Sequence, residues 1–144
     1  MSDYNPQPPP TNESSFHKGN CHCGAVRFTV RVSPPLHEYP VMNCNCSICS
    51  RNSYLLVYPN TEDFKLEKGE GVLKDYRFNT RQGRHRFCGE CGSSCFVQLP
   101  DESGPPPFVC VNVRMFEDFD FDKLKLRKVD GRSFQGEYTP QVNN

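Results

Sequence analysis

Seven of the nine cysteines fall into three tight clusters: Cys21-x-Cys23, Cys44-x-Cys46-x-x-Cys49 and Cys88-x-x-Cys91. Four sulfurs come from two separated pairs, and three from one compact run. Four thiolates complete a tetrahedral zinc shell, whereas three leave one position open. Structural zinc sites are closed and catalytic ones keep a free position, so the grouping predicts one site of each kind and two zinc ions per chain. A disulfide framework fits poorly. The cysteine total is odd, and a C-x-C pair bridges itself only with strain.

The chain is 144 residues long, enough for one domain. Its N-terminus lacks the basic and apolar regions of a secretory leader, and no apolar run is long enough to span a bilayer. This predicts a cytoplasmic protein with no membrane partner, in a reducing compartment where clustered cysteines hold metal. Charge is balanced at 17 basic and 17 acidic residues, which disfavours nucleic acid as a partner. The apolar content is modest and there is no Trp. A core this lean needs a staple, and structural zinc contributes on the order of 10–16 kcal/mol that is also folding energy.

Residues 1–15 are rich in proline and small polar residues, and are expected to be a disordered tail. The domain is expected over 16–131, with a flexible C-terminal tail over 132–144. Residues 25–32 alternate, with Val26, Phe28, Val30 and Val32 on one face, and predict a half-buried strand ended by Pro34 and Pro35. Residues 54–58 are apolar throughout and predict a central strand. Residues 64–67 and 72–78 flank Lys68-Gly-Glu-Gly71, which predicts a hairpin. Further strands are expected at 84–87, 95–99, 108–113 and 124–128. One short helical turn is expected at 47–52. The class is mainly β with minor helix.

The two outer clusters form a natural pair. Cys88-Gly-Glu-Cys91-Gly92 is a zinc knuckle, in which backbone N–H groups point at thiolates and a glycine takes the left-handed turn. Cys21 and Cys23, at the rim of the first strand, supply the other two ligands. The central cluster, Cys44, Cys46 and Cys49, can chelate one metal from a single loop. A zinc held by three thiolates is soft, and its preferred fourth ligand is another thiolate, which suits capture of a thiol substrate. The alternative is closure by a fourth protein ligand, for which Cys95, Cys110, His22, His37 and His85 are candidates. Cys95 and Cys110 lie in apolar runs and read as core residues. Arg51, Arg81, Arg84, His85 and Arg86 flank the clusters, either offsetting thiolate charge or binding carboxylates of a small peptide thiol. Asn52 and Tyr54 follow the central cluster closely enough to line its pocket.

With these residues in view, the chain resembles the glutathione-dependent formaldehyde-activating family, also called the CENP-V/GFA domain. The resemblance rests on Gly19-Asn-Cys-His-Cys-Gly-Ala-Val26, Cys44-Asn-Cys-Ser-Ile-Cys49 followed by Arg51, the strand around Tyr76, and Phe87-Cys-Gly-Glu-Cys-Gly-Ser93. Val111-Asn-Val-Arg114 and Asp130-Gly131 are similar to family tails. It implies an Mss4-like fold of folded-over β-sheets, a β-tent, with a structural zinc. It also implies carbon–sulfur lyase chemistry, with glutathione as co-substrate and S-hydroxymethylglutathione as the adduct. Carried over residue by residue, Cys21, Cys23, Cys88 and Cys91 take the structural zinc, and Cys44, Cys46 and Cys49 the catalytic one. Two alternatives stay open: an enzyme of the same fold acting on another carbonyl compound or secondary metabolite, and a non-catalytic zinc module binding protein or nucleic acid.

Overall fold

The computed structural model describes residues 6–78, 82–100, 106–135 and 137–140. It is mainly β. The strands are β1 (Ser15–Asn20), β2 (Arg27–Val32), β3 (Pro40–Cys44), β4 (Leu56–Val57), β5 (Phe64–Lys68), β6 (Leu73–Tyr76), β7 (Arg84–Cys88), β8 (Ser94–Gln98), β9 (Val109–Asn112) and β10 (Lys125–Val129). Two short helices, α1 (Ser47–Asn52) and α2 (Gly131–Gln135), interrupt them. A three-stranded sheet has the order β1-β2-β5, and a seven-stranded sheet the order β10-β3-β4-β9-β8-β7-β6. No described helix is long and apolar enough to cross a membrane.

The sheets face each other across the main core. The alternation read in residues 25–32 is the inner face of β2: Val26, Phe28, Val30 and Val32 are all buried. Phe28 packs against Phe64, Phe96 and Phe116, with ring centroids 5.4–6.3 Å apart. Gly19 lies under the Phe28 ring, where any Cβ would overlap it.

The large sheet is buried on both faces at its centre. Val41, Leu55, Val57, Phe96, Val109 and Val111 point into the main core. Their chain neighbours Met42, Leu56, Val97 and Cys110 point the other way, into a second cluster with Tyr54, Tyr58 and Phe108. This is why residues 54–58 read as apolar throughout, although only Leu56 and Val57 pair as a strand. Buried Asn112 ties the layers: its Oδ1 accepts from Arg114 N at 3.2 Å, and its Nδ2 donates to Ser94 O at 2.9 Å.

The expected hairpin over 64–78 is not formed. β5 pairs with β2, and β6 pairs with β7, in the other sheet. The turn is present, since Gly69 O accepts from both Val72 N and Leu73 N at 3.0 Å. It carries the chain from one sheet to the other, and the alternation of Phe64 and Leu66 belongs to the β2 side. Gly69 has φ +111°, and a Cβ there would come within 2.8 Å of Ala25 O and Val26 Cα.

Residues 6–14, expected to be disordered, run along the domain; residues 1–5 lie outside the described ones. Gln7 Nε2 donates to Tyr58 O (2.9 Å) and Asn60 Oδ1 (2.8 Å), and Thr11 N donates to Ser33 Oγ (3.0 Å). At the start of β1, His17 is buried and stacked on Phe116, with Ser15 Oγ 2.7 Å from Nε2 and Asp118 Oδ2 3.0 Å from Nδ1. Ser15 Oγ also accepts from Leu36 N at 2.8 Å, so the group anchors three chain segments.

Because the obstruction at Gly69 is backbone and its φ is hostile to a side chain, Gly69→Ala is expected to destabilise the fold by about 1–3 kcal/mol. Urea denaturation with unchanged stability in this variant would contradict the corner as described.

Candidate metal centres and the adjoining cleft

The first knuckle is the turn joining β1 to β2, and the second is the turn joining β7 to β8. Their tips meet, and the ligand sulfurs of Cys21, Cys23, Cys88 and Cys91 all lie within 4.8 Å of one another. Cys21 Sγ is 3.6 Å from Cys23 Sγ, which is 3.7 Å from Cys88 Sγ. Zn–S bonds of about 2.3 Å in a tetrahedron place sulfurs about 3.8 Å apart, so the donor set fits zinc.

The turns are built alike. Gly24 and Gly92 take φ +83° and +80°. Val26 N donates to Cys21 Sγ (3.2 Å) and Glu90 N to Cys88 Sγ (3.3 Å). Ser93 Oγ joins the tips, accepting from His22 N at 3.1 Å and lying 3.2 Å from Cys91 Sγ. Burial raises the Cys91 pKa, but the Ser93 hydroxyl and nearby N–H groups outweigh it and bring the thiol down to about 5.

The central cluster lies elsewhere, on the second-core face of the large sheet. Cys44 ends β3, Cys46 caps α1, and Cys49 lies within α1. Their sulfurs also fall within 4.8 Å of one another, and no fourth Cys, His, Asp or Glu joins them among the described residues. Charge is concentrated on one sulfur. Hydrogen bonding from Cys49 draws Cys46 down to about 5, and the same contact drives Cys49 well above the usual thiol range. Burial raises Cys44. Such a set of shared protons is what a soft cation displaces.

The candidate fourth ligands lie outside this cluster. Cys95 Sγ donates to Ser93 O at 3.3 Å, and Cys110 is buried in the second core. Burial pushes both thiols up to about 12, as expected of core residues. His22 is exposed, and His37 lies beside Glu38 at the surface. His85 Nδ1 is 2.9 Å from Tyr54 Oη.

Sequence reasoning missed what covers the central cluster. β10 runs parallel to β3 with Val129 opposite Cys44, so the chain next passes directly over the cysteine loop. Asn45 donates to Asp130 Oδ1 (2.9 Å) and accepts from Arg132 N (3.0 Å). Gly131 lies against Cys44 Sγ, and a Cβ there would overlap the sulfur. Only the Asp130-Gly131 tail signature hinted at this. Residues 132–135, expected in a flexible tail, thus belong to α2, which begins at Gly131 against the site.

A cleft of about 490 Å³ runs beside α1. Ile48, Arg51 and Asn52 of α1 line it, with Tyr54, Tyr76, His85 and Phe87. On a 3.6-residue repeat, Cys49 lies on the helix face adjoining Asn52. Burial raises the Tyr54 hydroxyl pKa and lowers that of His85. The flanking arginines are less free than expected. Arg86 is buried and donates to Asp75 Oδ1, Glu70 Oε1 and Gln98 Oε1, each at 2.9 Å. Arg84 donates to the same Gln98 at 2.7 Å. Arg51 donates to Ser47 O and stacks on Tyr138 at 4.5 Å. Arg81 lies outside the described residues.

The family model described as glutathione-dependent formaldehyde-activating enzyme matches residues 16–129. The chain belongs to this family. A Halomonas elongata protein named "Putative glutathione-dependent formaldehyde-activating enzyme" is 36% identical over 91 residues, 58% of this chain and 56% of that protein. The chain therefore matches little more than half of that relative's length. A crystal structure of a Rhodobacter sphaeroides protein superposes with a TM-score of 0.61 at 31% identity, covering 73% of this chain and 92% of the other. Together with the two folded sheets, this gives the Mss4-like class.

The two clusters are expected to respond differently to mutation. Cys88→Ala should give insoluble protein, because its sulfur lies where both sheets are fastened. Cys46→Ser and Gly131→Ala should stay soluble and lose about half of the bound metal, as one of two sites goes. Metal analysis alongside circular dichroism checks this; equal loss of solubility in all three would make both sites structural.

Proposed function

We propose that this chain is a zinc-dependent carbon–sulfur lyase acting on a glutathione adduct such as S-hydroxymethylglutathione. The observation that carries this reading is the difference between the clusters: four mutually close sulfurs in one, and three with no fourth ligand among the described residues in the other. In this reading Cys21, Cys23, Cys88 and Cys91 hold a structural zinc. Cys44, Cys46 and Cys49 hold a second, with its free position for substrate sulfur. The family match to residues 16–129 supports it.

Zinc, when bound there, lowers the pKa of an incoming thiol and keeps it as thiolate at neutral pH. In the forming direction a carbon–sulfur bond is made to the carbonyl carbon and the C=O π bond opens. The proton lost by the thiol ends on the new hydroxyl oxygen; cleavage is the reverse. The chain's own residues position these atoms. Gly131 and the Asn45–Asp130 contact fix the cysteine loop. Tyr54 Oη, bonded to His85 Nδ1, is a hydroxyl of the cleft, near Cys49 in the second core, that can hydrogen-bond the substrate oxygen. A nucleic-acid module is disfavoured, since Arg84 and Arg86 are tied to acidic and amide partners.

Metal analysis should find two zinc ions per chain, and calorimetry should detect glutathione at millimolar concentration. Turnover of the adduct should fall on the order of 10²-fold in Tyr54→Phe. One zinc per chain, or no glutathione binding, would sink the reading.

A further inference from the structure

The cleft has an aromatic wall, formed by Tyr54, Tyr76, His85 and Phe87. A cavity of about 150 Å³ already accommodates benzene, and this cleft measures about 490 Å³. The His85 ring is the hub of that wall. Tyr54 stacks on it at 5.8 Å and 22°, Phe78 lies 5.4 Å away, and Tyr76 6.5 Å away. Tyr76 and Phe78 stack on each other at 5.7 Å and 16°. Tyr76 is 47% exposed. It stands on β6, the edge strand of the large sheet, and lines the cleft. Ile48 supplies apolar surface on the α1 side.

Stacked and tilted rings of this kind leave room for a further planar ring, which gains both area burial and quadrupole complementarity. Polar groups line the cleft as well, among them Arg51, Asn52, Asp75 and Ser94, and Arg86 is already paired internally with Glu70 and Asp75. Small ligand pockets with this lining select by shape and aromatic contact, with a few polar groups setting orientation.

We propose that this cleft is an aromatic slot: the carbonyl half of the substrate carries a planar ring, so the adduct is formed between a thiol and an aromatic carbonyl compound. This deepens the proposed function and rests on a thiol at Cys44, Cys46 and Cys49. The slot itself is independent of that thiol.

Calorimetry on the zinc-loaded full chain compares S-benzylglutathione with S-methylglutathione. The ring of the benzyl form stands one carbon from sulfur, as it does in the adduct of an aromatic aldehyde. The slot predicts at least tenfold tighter binding of the benzyl form. Tyr76→Ala should collapse that ratio toward one, and Tyr76→Phe should keep it. Equal affinities in the natural protein overturn the slot. Saturation-transfer NMR with benzyl alcohol separates it from the thiol reading. If glutathione itself does not bind, the thiol reading falls, and Tyr76-dependent transfer from benzyl alcohol leaves the slot standing. Absence of that transfer ends the slot as well.

Discussion

Four sulfur atoms at the tips of two hairpins fasten one sheet of this protein to the other. The first tip joins β1 to β2 and the second joins β7 to β8, so the contact spans about half of the chain. A lean core between a three-stranded and a seven-stranded sheet has little apolar area to spare. In the proposed reading a closed metal shell at the junction supplies what such a core lacks, and it closes a loop whose unfolded freedom is large. The N–H groups aimed at Cys21 and Cys88, and the Ser93 bridge between the tips, are preorganised for that charge.

Fastening the sheets at one edge leaves the opposite face of the large sheet for chemistry. There the second apolar cluster supports α1 from below, and the Cys44 loop ends β3 beside the last strand. The cysteine loop is therefore gripped from two sides, by packing beneath and by Asn45, Asp130 and Gly131 above. In the proposed reading the two clusters serve different ends: one holds the sheets in place, and the other takes a ligand as its fourth donor.

Much of this is legible in the sequence, because cysteine spacing and alternation are local signals. The pairing of Cys21 and Cys23 with Cys88 and Cys91, the inner face of β2 and the helix at Ser47–Asn52 all follow from short stretches read alone. What escapes is non-local. Phe64 and Leu66 alternate correctly, but nothing near them says that their partner is β2 rather than the strand that follows the turn. β1 and β3 carry too little alternation to announce themselves. Gly131 over Cys44 depends on a parallel pairing across more than eighty residues, and the capture of Arg86 by Glu70, Asp75 and Gln98 on three separate segments. Arginines near the clusters in sequence are thus spent on holding β6, β7 and β8 together.

The central claim is that one cluster is closed by protein and the other is open to substrate. The most direct measurement is a crystal structure of the zinc-loaded protein with glutathione. The account predicts one zinc with four protein sulfurs. It predicts a second zinc with Cys44, Cys46 and Cys49 at about 2.3 Å and the glutathione sulfur in the fourth position. A fourth protein ligand on the second zinc, with glutathione absent or bound elsewhere, would contradict it.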